Sequence, residues 1–371
     1  MTVLNAAPSL EIPFSKRTVE VCIIDTTTKV NGLPASAFMT PSIPGYQIIR
    51  DGCEYAFVIK HTGSDKIDTL IFDLGVRKDF ENSPPVIVEQ SANLGLSFSV
   101  ESDVASTLVE HGQDLDGVDA IIWSHYHSDH AGDPCRFPTS TALIVGPGFK
   151  DAFVPGWPTI PDSQLDEKAW KDRELREISF EEATISIGDF KAVDYFNDGS
   201  LFLLNSPGHA TGHMCALART SAEPPEFILM GADIAHHGGQ FRPSKYMPLP
   251  EDIRANPLIA PYQVSDTFCP GALFQQIHPH KRSTEPFMKA DGFIHDDAPV
   301  ACQSIEGLLK LDAHDNIFTV IAHDKSLLDV VEFYPKSANS WKTLGWKEQS
   351  RWRFLRDFDT EEGYANAVNR K

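Results

Sequence analysis

The sequence predicts an α/β protein built on a sheet sandwich that carries a polar site along one rim. Three observations predict it. Apolar runs of strand length recur along the chain, segments with helical spacing lie among them, and four of the runs end in a His or an Asp. The run over residues 118–123 leads into His125-Tyr126-His127-Ser128-Asp129-His130. The run over 201–205 turns through Ser206-Pro207-Gly208 to His209. Residues 226–230 lead through Gly231-Ala232 to Asp233, and residues 317–321 lead through Ala322 to His323.

The elements follow in order. Residues 1–17, with Pro8 and Pro13, read as a surface arm, and the β-branched alternation over 18–28 reads as the first strand. Residues 31–46 hold Pro34, Pro41 and Pro44 beside Phe38 and Met39. They form a loop, either over the mouth of the active site or on the plain surface. Residues 54–59 and 69–73 make a hairpin of buried strands that ends in Asp73-Leu74-Gly75. Residues 101–111 have helical spacing, with Ser102 placed to cap. After the histidine-rich loop, Gly132 lets the chain turn closely. Residues 141–145 are a strand, 149–175 a loop with a short helix, and 176–193 a hairpin around Gly188-Asp189 in the second sheet.

Residues 234–294 are an insertion rich in proline and in aromatics: Phe241, Tyr246, Tyr262, Phe268, Phe274, Phe287 and Phe293. Its length and composition suit a lid or pocket wall for an apolar or aromatic substrate, or else a packing or dimer contact. Residues 297–311 are a helix. The tail, with Trp346, Trp352, Phe354 and Leu355, is a helix docked on the sandwich or, alternatively, one lying on a membrane surface. The expected organisation is therefore an arm at 1–17, one domain over 18–335 and a helical extension over 336–371.

Four donors on one short loop point to metal. Neutral imidazole and carboxylate suit zinc and similar divalent ions, and such side chains converge at low cost only around a cation. In an extended His-x-His segment both imidazoles point the same way. His125 and His127 then face one ion, while Asp129 and His130 turn toward a second. His278-Pro279-His280 has a proline between its imidazoles and no carboxylate partner, so it reads as a surface loop.

The order HxHxDH, SPGHxxGH, GAD and AHD resembles the metallo-β-lactamase superfamily over about residues 50–330, and within it the dinuclear hydrolases that include glyoxalase II and the N-acyl homoserine lactonases. The resemblance implies an αββα sandwich of two mixed sheets flanked by helices. It implies that His125, His127 and His209 hold one metal, that Asp129, His130 and His323 hold the other, and that Asp233 bridges them. Asp73, at a strand end of D-x-G form, would orient a ligand histidine from behind, and His213 would be structural. Class B β-lactamases carry a Cys where Asp233 stands and do not use His130. The implied reaction is opening of a lactone or lactam ring by a hydroxide bridging two divalent ions, zinc first among them. Thioesterases of the glyoxalase II or polyketide-releasing kind and mononuclear iron oxygenases are the alternatives. Fungal relatives of this size act in detoxification or secondary metabolism. Lactonases commonly have a Tyr three residues beyond the bridging Asp, where this chain has His236, followed by His237. Asp129 and His236 are the candidate catalytic side chains, His236 as a donor to the oxyanion or leaving group, or as a pocket residue.

Composition narrows the partners. With 32 basic and 52 acidic residues the formal charge is −20, which argues against nucleic acid or an anionic membrane as partner. A small molecule is the expected partner, with a homodimer possible. Six scattered cysteines read as buried free thiols, and the first 17 residues lack a signal-peptide core. The expectation is a cytoplasmic enzyme.

Overall fold

The structure is a computed structural model that describes residues 5–63, 66–257 and 269–358. Tyr262 and Phe268 of the insertion, residues 1–4 of the arm and residues 359–371 of the tail lie outside the described residues. Twelve strands form two six-stranded mixed sheets. The first holds β1 (Val19–Asp25), β2 (Tyr55–Thr62), β3 (Ile67–Phe72), β4 (Ala120–Ile122), β5 (Ala142–Val145) and β6 (Leu175–Glu177), each beside the next. β1 to β3 pair antiparallel and β3 to β6 parallel. The second holds β7 (Ile185–Ile187), β8 (Phe190–Asp194), β9 (Leu201–Asn205), β10 (Met214–Ala222), β11 (Pro225–Ala232) and β12 (Ile317–Ile321). Only its last pair, β11 and β12, is parallel.

Side-chain alternation decides the layers. Val21, Ile23, Phe57, Ile59, Phe72 and Ile122 point inward from the first sheet and meet Leu201, Leu203, Met214, Ile228, Met230 and Val320 from the second. The opposite faces are apolar too, so each sheet is covered by a helix. Val104, Ala105 and Leu108 of the helix Val104–Glu110 cover the first sheet, and Ile305, Leu308 and Leu309 of the helix Ala298–Asp312 cover the second. The αββα sandwich expected from the sequence is the observed architecture.

Four local expectations change. The helix Val104–Glu110 is capped by Asp103, whose carboxylate accepts the Ser106 N–H at 2.7 Å, not by Ser102. Residues 176–177 leave the expected hairpin and, with Leu175 of the preceding loop, pair with Leu143–Val145 as the edge of the first sheet, while β7 and β8 make the hairpin around Gly188-Asp189. His278 is buried, with Nε2 near the carbonyls of Glu285 and Pro286 and Nδ1 accepting the His280 N–H, so it is not a surface histidine. Cys135 is exposed, although Cys22, Cys53, Cys215 and Cys269 are buried.

The proline-rich loop, the insertion and the tail share one apolar cluster. Leu33, Phe38 and Met39 meet Leu249, Phe274, Phe287 and Met288, and both meet Trp352, Phe354, Leu355 and Phe358. Trp341 and Trp346 of the tail enter the core between the sheets. The tail thus buries its aromatics against the sandwich. No helix among the described residues is long and apolar enough to cross a membrane.

Candidate metal centre

Strand ends deliver the polar side chains to one rim. The histidine-rich loop follows β4 and contains a single helical turn, Ser128–Ala131. His209 follows β9, Asp233 follows β11 and His323 follows β12. Two groups of donors that include a carboxylate form there, His125, His127, His209 and Asp233, and Asp129, His130, Asp233 and His323, beside an all-histidine group of His209, His236 and His295, each with its donor atoms within 4.8 Å of one another. Asp233 belongs to both.

The distances fit a divalent ion. His209 Nε2 lies 3.2 Å from His125 Nε2, 3.0 Å from His127 Nδ1 and 3.3 Å from Asp233 Oδ2. Ligands at the zinc bond lengths of roughly 2.0–2.1 Å stand about 3.3 Å apart along the edges of a tetrahedron. In the second group Asp233 Oδ1 is 3.2 Å from His130 Nε2 and 3.0 Å from His323 Nε2, and His323 Nε2 is 3.7 Å from Asp129 Oδ2. His130 Nε2 and Asp233 Oδ1 are buried and, although close, lie outside hydrogen-bond geometry. Left so, they would cost free energy; a cation between them removes that cost.

The far ring nitrogens of His125, His130 and His323 are engaged. His125 Nδ1 meets Ser124 Oγ at 3.0 Å, and His323 Nδ1–H donates to the Cys53 carbonyl at 2.9 Å. His130 Nδ1–H donates to Asp73 Oδ2 at 2.9 Å, while Asp73 Oδ1 accepts the Ser124 N–H at 2.7 Å. Asp73 therefore touches both the ring and the backbone of the histidine-rich loop, a contact that leaves Nε2 of His130 free for the site. His213 belongs to neither group: its buried ring hydrogen-bonds Ser206 from Nδ1, with 2.9 Å to the carbonyl. His236 stands beside the centre, its Nε2 3.2 Å from Asp233 Oδ2 and its ring 4.4 Å from Phe38.

Burial holds the His125, His127, His209 and His236 imidazoliums below their ordinary range, so these rings are neutral. Burial acts the same way on His130 and His323, but there the nearby carboxylates, Asp233 first, outweigh it. They hold His130 well above its ordinary value and push His323 up to about 9. Burial would raise Asp233, but His323, His130 and His236 keep it well below the usual carboxylate range.

Two residues near the centre carried no signal of their own in the sequence. Glu54 heads β2, is 1 % exposed and has both oxygens without a hydrogen bond, one of them 3.8 Å from His130 Nδ1. A charged residue immediately before the apolar run 55–59 is the pattern that would have found it. His295 lies against His209, 86 residues away in sequence.

A cavity of about 440 Å³ opens over the second group. Asp129, His236 and His323 line its floor. Leu33, Phe38 and Tyr46 of the proline-rich loop, Ile48 and Ile49 just after it and Phe354 of the tail line its apolar wall, with Arg50, Lys325, Asp324 and Asp357 among its polar residues. Among its described residues the insertion contributes its start, His236 to Gly238, to the lining, packs Phe274 and Phe287 behind the wall, buries Phe241 against the second sheet and leaves Phe293 exposed.

Residues 82–133 match the family model for the metallo-beta-lactamase superfamily. The chain is 52 % identical over 366 residues to a gamma-lactamase, FDB1, of Fusarium pseudograminearum (strain CS3096), covering 96 % of this chain and 87 % of that one. It is 43 % identical over 356 residues to the metallo-hydrolase mfmC of Annulohypoxylon moriforme, covering 95 % and 90 %. Among solved structures, AiiA of B. thuringiensis with N-decanoyl-L-homoserine at its active site superposes with a TM-score of 0.55 at 16 % identity, over 88 % of this chain and 100 % of that one, a likeness of fold. The rim of strand-end histidines and aspartates, the sandwich beneath it and these relatives agree: the chain belongs to the metallo-β-lactamase superfamily and is a hydrolase of lactamase and lactonase type.

Proposed function

We propose that this hydrolase opens the ring of a small lactam or lactone with an apolar or aromatic body, using two divalent ions, zinc by first assignment. The observation that carries the reading is the pair of donor groups sharing Asp233, the second of which gives Asp129 and His323 to the floor of the 440 Å³ cavity. His125, His127 and His209 would hold one ion, Asp129, His130 and His323 the other, and Asp233 both. Ions bound there would supply a water nucleophile at neutral pH and polarise the scissile carbonyl. The rest falls to the chain. Leu33, Phe38, Tyr46 and Phe354 receive the apolar body and exclude water, while Asp73, Ser124 and the Cys53 carbonyl keep the donor rings aimed. His236 is neutral at pH 7, so it acts as a hydrogen-bond donor to the oxygen or nitrogen that gains charge as the ring opens. The name gamma-lactamase, borne by FDB1 and by the relative MBL2 of Gibberella moniliformis, favours a lactam. Six free cysteines support a reducing compartment, the cytosol.

The test is elemental analysis of the purified protein with a turnover screen against lactams, lactones and thioesters. About two zinc-like ions per chain with ring opening is the expected result. One iron per chain, or turnover of thioesters alone, would overturn it.

Two further outcomes are expected. With pKa values raised in the ion-free protein, His130 and His323 carry protons at pH 7 that an incoming ion must displace. Affinity for the ion at Asp129, His130 and His323 should therefore fall as pH drops below about 9, by about tenfold per pH unit for each proton released. Chelator competition between pH 6.5 and 9 reads this; an affinity independent of pH would contradict it. His236→Phe keeps the packing against Phe38 but removes the donor. Its kcat should drop by about 10²-fold with both ions retained, and an unchanged kcat would remove His236 from the reaction.

A further inference from the structure

We infer that His295 is a positioning residue that sets the tautomer and orientation of His209 and ties that ring to the cavity wall. The inference rests on the reading above in which His209 Nε2 is a metal ligand. His295 Nε2 lies 2.8 Å from the carbonyl oxygen of Phe38, which can only accept, so the ring proton of His295 is on Nε2. Its Nδ1 then presents a lone pair, and that atom is 3.2 Å from His209 Nδ1. A neutral imidazole carries one N–H. The proton of His209 is accepted at Nδ1, and Nε2 keeps its lone pair, aimed where His125 Nε2 and His127 Nδ1 converge at 3.2 and 3.0 Å.

The backbone beside His295 clasps the same loop. Asp296 N–H donates to the His209 carbonyl at 3.0 Å and Asp297 N–H to that of Gly208 at 2.9 Å. The Asp296 carboxylate accepts from the N–H and hydroxyl of Thr211 at 2.6 and 2.9 Å. Gly208 has φ +114°, and a Cβ there would stand 2.1 Å from the Ala301 nitrogen, so only glycine lets the helix Ala298–Asp312 approach so closely. Helix start and loop are thus locked together, and His295 carries that lock to the ring. The rings of His125, His130 and His323 are steadied from residues 53, 73 and 124 of the first half of the chain. His209 is steadied from residue 295 and, through it, from Phe38, whose own ring packs on His236. The wall that receives substrate and the ligand set are mechanically joined at this point.

His209, His236 and His295 also form a group of donors within 4.8 Å, so an ion held by those three is the competing account. Three substitutions separate the possibilities. Asn at 295 places an oxygen near the former Nδ1 and keeps an acceptor for His209. Gln reaches the Phe38 carbonyl but loses that acceptor, and Leu loses both. Zinc affinities of the metal-loaded proteins are measured by competition with a chromophoric chelator, and thermal unfolding reports on the fold. His295→Leu and His295→Gln should weaken one of the two ions by about 10–100-fold, and His295→Asn should recover most of the loss. Recovery by Gln and not by Asn would mean that His295 is only a latch on Phe38 and would overturn the inference. So would equal affinities throughout, or a third ion that disappears in every variant. If Leu fails to fold, the Asn and Gln pair still decides. His209→Ala is the control for the underlying reading: if it keeps both ions at full affinity, that reading fails and the inference with it. Loss of an ion there with no change in the His295 variants sinks the inference alone.

Discussion

Asp233→Ala should abolish ring-opening activity, with kcat/KM reduced about 10³-fold or more, and should leave the protein unable to hold two ions. The reason is its double membership. Asp233 Oδ2 lies 3.3 Å from His209 Nε2, and Oδ1 lies 3.0 and 3.2 Å from the Nε2 atoms of His323 and His130. Removing it takes one donor from each group and strips the negative charge that five neighbouring imidazoles face. A single electrostatic group aimed at developing charge is worth about 10²–10³ in rate, and this one also assembles the ions themselves. The pKa values of His130 and His323 should then fall, because Asp233 is the strongest of the carboxylates that raise both. Metal content by elemental analysis and kcat/KM on the best substrate check the outcome. Full activity with two ions per chain would show that the bridging assignment is wrong. Asp233→Asn separates charge from shape, since the amide retains one oxygen donor but no net charge.

What could be read from the sequence is what local chemistry dictates. Leu201–Asn205 and Ile317–Ile321 are found where their apolar runs end, because a buried strand needs an uninterrupted run and a polar side chain survives only at its rim. The same rule places His209, Asp233 and His323 on one edge without knowledge of topology. Three kinds of detail escaped it. Ser102 and Asp103 are both good caps, and the choice falls to whichever carboxylate or hydroxyl reaches the third amide of the helix. Residues 175–177 have the alternation of an edge strand, but which sheet they join depends on β5 being exposed beside them. The roles of His295 and His278 come from contacts made by distant or folded-back backbone, Phe38 in one case and Glu285 and Pro286 in the other. The aromatics of the insertion suit a lid or wall and a packing contact alike; of its described residues, 236–238 line the cavity and Phe274 and Phe287 are packed behind it, with Tyr262 and Phe268 outside the described residues.

The insertion is also tied to the helix Ala298–Asp312 by a buried ion pair, and breaking it should destabilise the protein by about 3–5 kcal/mol. Arg242 of the insertion meets Asp312, at the end of the helix Ala298–Asp312, through two hydrogen bonds of 2.6 and 2.8 Å, with side chains only 4 % and 3 % exposed. The tail closes over the pair. Arg242 also donates to the Arg351 carbonyl at 3.1 Å, and the Lys347 ammonium donates to the carbonyls of Asp312, His314 and Ile317. Asp312→Ala leaves a desolvated guanidinium with no counter-charge and the Lys347 ammonium nearby. Urea unfolding at pH 7 should show the lower midpoint with the slope unchanged. Arg242→Met combined with Asp312→Leu removes both charges and should recover most of the loss, since a buried pair is worth little more than apolar residues of its own volume. The pH dependence follows from the carboxyl. Burial pushes Asp312 up, but Arg242, Lys347 and Arg351 outweigh burial and hold it below the usual carboxylate range. Its contribution is therefore complete above the unfolded value of about 3.9 and is lost as pH falls through the lower folded value. The stability gap between the native protein and Asp312→Ala should narrow below about pH 4, and a gap that stays constant there would show that the carboxylate charge is not what holds Arg242. Because His236 and Gly238 lie four to six residues from Arg242, with Gly238 packed so tightly on Phe354 that a Cβ would stand 2.6 Å from its ring, loosening this pair should also raise KM before it lowers kcat.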